Sequence, residues 1–218
     1  MLCCLIISLT SCAKTVTLKE TAGTNITFSI TFDTAPDFNN YQYYIIYGSS
    51  TFDLNTSLSS NYFFIPGESV NQATLDAISG GQGLNDFYTK YFKSWGGILT
   101  LKSTDISITK GPFSESTSTD AQHFGYTATN ISMNDYEVKE KTISFTIAVS
   151  ELNISENILY FSIGTSKGDL ANNTQDLVTD IQSIEIIANR PSLFRQNDTS
   201  LYQPESAAKI ISWTVTVL

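Results

Sequence analysis

Four stretches of this chain alternate apolar and polar residues one by one, and that period of two constrains the fold more than any other feature. Ile26, Phe28, Ile30 and Phe32 are interleaved with Asn25, Thr27, Ser29 and Thr31. Ile143, Phe145, Ile147 and Val149 are interleaved with Ser144, Thr146 and Ala148 behind Thr142. Leu159-Phe161-Ile163 and Ile211-Trp213-Val215-Val217 repeat the pattern, the last at the end of the chain. Successive side chains on a strand point to opposite faces, so each stretch reads as a half-buried strand with one apolar face. Tyr41 to Tyr47 and Ile98 to Ile108 also read as strands, as do Val16 to Glu20 and Ser183 to Ala188. Such strands between Gly, Asn, Asp and Pro turns predict an all-β fold, an antiparallel two-sheet β-sandwich of the immunoglobulin-like kind, with the last strand closing a sheet.

One segment departs from that period. Ser69-Val70-Asn71-Gln72 has the form of a capping box, with Leu75 and Ile78 at helical spacing before Gly80-Gly81. Leu84, Phe87, Tyr88, Tyr91, Phe92 and Trp95 then fall on one helical stripe, ended by Gly96-Gly97. The spacing predicts a helical insertion over 69–96 that packs its aromatic stripe on an open end or edge of the sandwich. Residues 168–180 read as a polar loop with a short helix from Thr174, and 190–207 as a second long loop. No repeat or linker divides the chain, so 23–218 is read as a single domain.

The N-terminus carries an address. An apolar run from Leu2 to Leu9 suits the core of a signal peptide and is too short for a membrane span of roughly 20 residues. It leads into Leu9-Thr10-Ser11-Cys12, which resembles the lipobox of bacterial lipoproteins. That resemblance implies a signal peptide over 1–11, lipidation (palmitate among the chains) at Cys12, and a tether and first strand over 12–22. Two or three acyl chains anchor stably, each buried CH₂ contributing about 0.8 kcal/mol. Ala13 after the cysteine, rather than Asp, implies sorting to the outer membrane in proteobacterial lipoproteins. A periplasmic-facing anchor stays open, as do a soluble secreted product starting at Lys14 and an unprocessed, buried N-terminal strand.

Composition then excludes whole classes of chemistry. All three cysteines lie within the first twelve residues, so the folded domain has no disulfide, zinc thiolate or catalytic thiol to draw on. About 200 residues can instead be held by a core, burying roughly 70% of the unfolded surface. The net charge is −9 and the 12 Lys and Arg form no cluster, so nucleic acid is not an expected partner.

His123 is the one histidine and reads as an ordinary loop or edge residue, with no Gly-x-Ser-x-Gly elbow to serve. Ser206-Ala207-Ala208-Lys209 matches the Ser-x-x-Lys of penicillin-binding proteins, but it runs into a strand where a helix would be needed. Asp33, Asp37, Asp76, Asp86, Glu137 and Glu140 are all free to form a carboxylate pair, so none is singled out. Asp169, Asn173, Asp176 and Asp180, and separately Asp33, Asp37 and Asn39, are weak oxygen-donor sets for calcium, without the Gly and Glu of an EF-hand. Gly80-Gly81-Gln82-Gly83 lacks the strand and Lys of a phosphate loop. Neither a catalytic residue nor a metal or cofactor is therefore assigned. Four aromatic residues, Tyr43, Tyr44, Tyr88 and Trp95, are candidates for stacking on a sugar ring, against the plainer reading that they pack internally.

These readings converge on a lipid-anchored, exported protein, non-catalytic, with a binding or envelope-structural role. Its expected partners are the membrane, through the anchor, and a glycan or envelope protein. A carbohydrate-binding module or adhesin is one alternative and an envelope glycan hydrolase another.

Overall fold

The computed structural model describes residues 24–52, 54, 94–111, 129–131, 135–167, 174–178, 180–187, 193–196 and 204–218. Among these residues twelve strands follow in order: β1 Asn25–Phe32, β2 Tyr41–Gly48, β3 Gly97–Leu101, β4 Ile106–Lys110, β5 Thr129–Ile131, β6 Glu137–Lys139, β7 Thr142–Ala148, β8 Ile158–Lys167, β9 Thr174–Leu177, β10 Gln182–Glu185, β11 Leu193–Gln196 and β12 Ile210–Val217. Among the described residues the one helical element is a 3₁₀ turn at Val149–Leu152. The described part of the protein is therefore nearly all β, as the period of two predicts.

Two antiparallel sheets form. The five-stranded sheet has the order β11-β12-β1-β7-β6, and the seven-stranded sheet runs β10-β8-β2-β3-β4-β5, with β9 also pairing β8. One cluster of buried residues joins them, drawing Phe28, Phe145 and Trp213 from the first sheet and Tyr43, Ile45, Leu99 and Phe161 from the second. Phe161 meets Phe28 edge-on at 5.6 Å and Trp213 edge-on at 5.3 Å. Edge-to-face packing of that kind adds about 0.5–1.5 kcal/mol per pair beyond the area buried. This two-layer arrangement is consistent with a β-sandwich.

Several expectations need correction. The stretch from Ile98 to Ile108 is not one strand but the hairpin β3–β4, turned over Lys102–Asp105, where Lys102 N donates to Asp105 O at 2.9 Å. No helix starts at Thr174. That segment is β9, paired with β8 from Gly164↔Leu177, so pairing overrides a polar sequence with little intrinsic preference. Within 190–207, Leu193–Gln196 is a strand on the edge of β12. In β12 the inward face is Ile210, Trp213, Val215 and Val217, because a bulge opposite Thr31/Phe32 skips Ile211.

Of the helical insertion, 69–93 lies outside the described residues; Ser94 to Gly96 form a turn and an extended approach to β3. The proposed strand at Val16–Glu20 also lies outside them, as do the signal peptide and tether.

Candidate functional site

The antiparallel register decides which loops meet. β1 rises from Asn25 to Phe32, and β2 starts beside that end at Tyr41 and descends. β8 runs against β2, so its last residue, Lys167, stands directly opposite Tyr41. β12 runs against β1, so the chain that leads into it, Pro204 to Lys209, lies at the same end. A cavity of ≈ 460 Å³ opens there, lined by Asp37, Asn40, Tyr41, Lys167, Glu205, Ser206 and Ala207.

Its polar groups hold one another in place. Lys167 Nζ donates to Glu205 Oε1 at 3.0 Å, and the Tyr41 phenol donates to the same carboxylate. The Glu205 carboxyl is held below its ordinary range, first by the Tyr41 hydrogen bond and then by Lys167. In return the Tyr41 phenol is pushed up to about 12, with the hydrogen bond to Glu205 as the main cause. On the facing side Asp37 closes an Asx turn: Asn39 N donates to Oδ1 at 3.0 Å and Asn40 Nδ2 to Oδ2 at 2.6 Å. Those bonds, the Asn40 side chain foremost, lower its pKa as well.

Beneath the rim, the approach to β12 is fastened to the opposite sheet by buried hydrogen bonds. Tyr43 Oη donates to Ala207 O at 2.9 Å while accepting from Asp37 N at 2.7 Å. Thr165 Oγ1 donates to Ala208 O at 2.7 Å. Asp176, with no exposed surface, accepts from Ile210 N at 2.7 Å through Oδ2 and from Leu177 N at 2.9 Å through Oδ1. The bulge in β12 and the carboxylate from β9 thus work together: the start of the strand is tied to the other sheet by a side chain. Tyr43 and Asp176 each serve both loops or both sheets, which no local sequence pattern announces.

The candidate stacking residues do not line the opening. Tyr43 and Tyr44 have no exposed surface and Trp95 has 2%, so none of the three is placed to receive a sugar ring; Tyr88 lies outside the described residues. Tyr43 packs between Phe32 and Phe38, each at 5.0 Å between ring centroids. Tyr44 lies over its cross-strand partner Gly164, where an added Cβ would meet the ring at 2.5 Å. These aromatics are structural.

The other candidates divide in the same way. Asp176 is turned inward and its oxygens are engaged by backbone, so it does not join Asp180, which is exposed, in a loop site for calcium. Among the described residues no three His, Cys, Asp or Glu side chains converge. Glu137 and Glu140 sit on the β6–β7 hairpin, whose turn reaches the same end of β1, where Phe32 N donates to Lys141 O at 2.9 Å, but neither carboxylate lines the cavity. Ser206 to Ala208 form a turn, not a helix, before β12. Cys12, His123, Asp76, Asp86, Asp169 and Asn173 lie outside the described residues. Asp37 is visible in the sequence as one of several carboxylates, whereas Lys167, Glu205, Asn40 and Tyr41 are not visible there as a group. They are separated by up to 165 residues and share no motif, so register alone brings them together.

The site is thus a small polar mouth between two sheets, with ionised carboxylates and one ammonium already paired. Comparison with protein-family models, with curated proteins and with solved structures finds no match, so the reading of this mouth rests on its own geometry.

Proposed function

We propose that this chain is a lipid-anchored exported protein, with a signal peptide over 1–11 and lipid on Cys12, that holds a binding mouth away from the membrane. Its domain, on this reading, is an immunoglobulin-like sandwich carrying a helical insertion over 69–96, and its role is binding without catalysis. The observation that supports it is the relation between the two ends of β1. The chain enters the described fold at Thr24–Asn25, where Asn25 and Leu218 exchange backbone hydrogen bonds at 3.2 and 2.8 Å. The polar mouth lies past the other end of the same eight-residue strand, roughly 26 Å away at about 3.3 Å per residue. An anchor at Cys12 would leave the mouth facing outward, accessible to an external ligand.

The electrostatics of the mouth favour binding over hydrolysis. A glycosidase needs one carboxyl kept protonated as acid beside an ionised one. Asp37 and Glu205 are both shifted the other way, toward the ionised form. Partitioning in a phase-separating detergent tests the anchor. The intact protein should enter the detergent phase and incorporate labelled fatty acid, whereas Cys12→Ala should stay aqueous and unlabelled. A Cys12→Ala protein that still partitions with detergent would remove this reading.

A further inference from the structure

We infer that the mouth lined by Asp37, Asn40, Tyr41, Lys167 and Glu205 is a binding site for an uncharged, hydroxyl-rich saccharide unit. This deepens the proposed binding role and rests on it only for where the ligand is met.

Among the described residues, the valences left open at the rim define the class. Lys167 uses one N–H on Glu205 and keeps two more to give. Glu205 accepts from both Lys167 and Tyr41, and the roughly four lone-pair sites of a carboxylate leave capacity to accept from a ligand as well. Asn40 spends one N–H on Asp37 and retains its carbonyl oxygen and a second N–H. Ser206 adds a hydroxyl that both gives and takes. Donors and acceptors therefore alternate around one opening, the pattern that neighbouring hydroxyls of a sugar satisfy, since each hydroxyl gives one bond and accepts others.

Other ligand classes fit less well. An anion would meet one ammonium against two carboxylates, both held toward the ionised form, in a chain of net charge −9. A metal ion would have to displace Lys167 from Glu205 and two N–H groups from Asp37, with no third carboxylate on the lining. An apolar ligand finds Ala207 and little else, because the Tyr41 ring is 7% exposed and belongs to the core. The cavity of ≈ 460 Å³ falls within the size range of small-molecule sites. Because Tyr41, Glu205 and Lys167, and separately Asn40 and Asp37, restrain one another before any ligand arrives, little side-chain freedom remains to be lost on binding. Recognition here uses hydrogen bonds from side chains at the rim, not the ring stacking expected from Tyr43, Tyr44 and Trp95.

The test is a glycan array probed with the detergent-solubilised full chain, carrying neutral, amino-bearing and acidic (sialylated or sulfated) oligosaccharides. Neutral glycans should be retained above both charged classes. Lys167→Met, Glu205→Gln and Asn40→Ala should each weaken retention at least tenfold. Lys110→Met, which removes a comparable exposed pair with Glu151 near the tether end, should leave it unchanged. The three altered side chains are on the surface, and matched thermal melts separate lost binding from lost fold. Preference for acidic or amino glycans, no retention at all, or pocket variants that bind like the parent would each overturn the inference. Failure on the array leaves the detergent-partition result standing, so loss of the ligand class and loss of the anchored reading are told apart.

Discussion

The two sheets solve the same burial problem differently. In the five-stranded sheet β1 and β7 alternate strictly, with Thr27, Ser29, Ser144 and Thr146 half-buried on the outer face. In the seven-stranded sheet the outer face is closed as well: Tyr44, Ile46, Ile98 and Ser162 have no exposed surface, and Ser107 and Thr109 have 3%. A sheet wet on one side needs only alternation, and its outer threonines pair across strands, as Thr27 and Thr146 do at 2.9 Å. A sheet covered on both sides has to satisfy hydroxyls and shape on the second face too. Ser162 Oγ therefore donates to Val178 O at 2.6 Å, and Tyr44 folds over Gly164. Polar substitutions and small volume changes should thus be tolerated on the outer face of one sheet and punished on that of the other.

The largest expected effect lies where the sheets are tied together. Asp176→Ala strands two buried N–H groups, at about 1–3 kcal/mol each, and should cost about 3–5 kcal/mol in urea unfolding. A loss below about 1 kcal/mol would mean that the clasp from β9 to β12 is not what joins them. Next comes Gly164→Ala, whose methyl would sit 2.5 Å from the Tyr44 ring and should cost about 1–3 kcal/mol through overpacking. Pairing it with Tyr44→Ala should recover part of that loss, and additivity in the double mutant would break the comparison.

Smaller effects belong to the sheet with a wet face. Glu140, at the β6–β7 turn, has φ 51, which favours glycine, so Glu140→Gly should raise stability by about 0.5–1 kcal/mol in a thermal melt. Thr27→Ala removes one half-buried cross-strand bond and should cost about 0.5 kcal/mol, well under the glycine change on the covered sheet.

The pocket's ionisations have the smallest reach. Glu205 is lowered in the fold, so its contribution is present above the ordinary carboxylate range and is lost as pH falls through its folded value. Tyr41 is raised from 10.0 to about 12, so its contribution is complete below pH 10 and is lost as pH climbs toward 12. Glu205→Gln removes the charge that holds the phenol neutral, and phenolate absorbance should show Tyr41 titrating closer to 10. A phenol unmoved by that change would sever the link drawn between β2 and the approach to β12.

How legible the fold was follows from the same contrast. β1, β7 and most of β12 were readable because one wet face leaves polar residues at every second position. β9 and β11 were not, since their strand state comes from partners already in place and not from their own residues. Tyr43 and Tyr44 were visible as conspicuous aromatics, but their burial was not, because exposure depends on what packs against both faces of β2. The pocket was least legible of all: Tyr41, Lys167 and Glu205 carry no spacing rule.

What the residues determined unaided was periodicity, and with it the secondary structure class and the inward set Ile26, Phe28, Ile30 and Phe32. Side-chain alternation is a local property of an extended backbone, so it is written along the chain. Strand order, the bulge at Ile211, the second buried face and the meeting of Lys167 with Glu205 were decided only in three dimensions. Each depends on the register between strands distant in sequence, and register is settled by the whole hydrogen-bonded sheet rather than by any one of its strands.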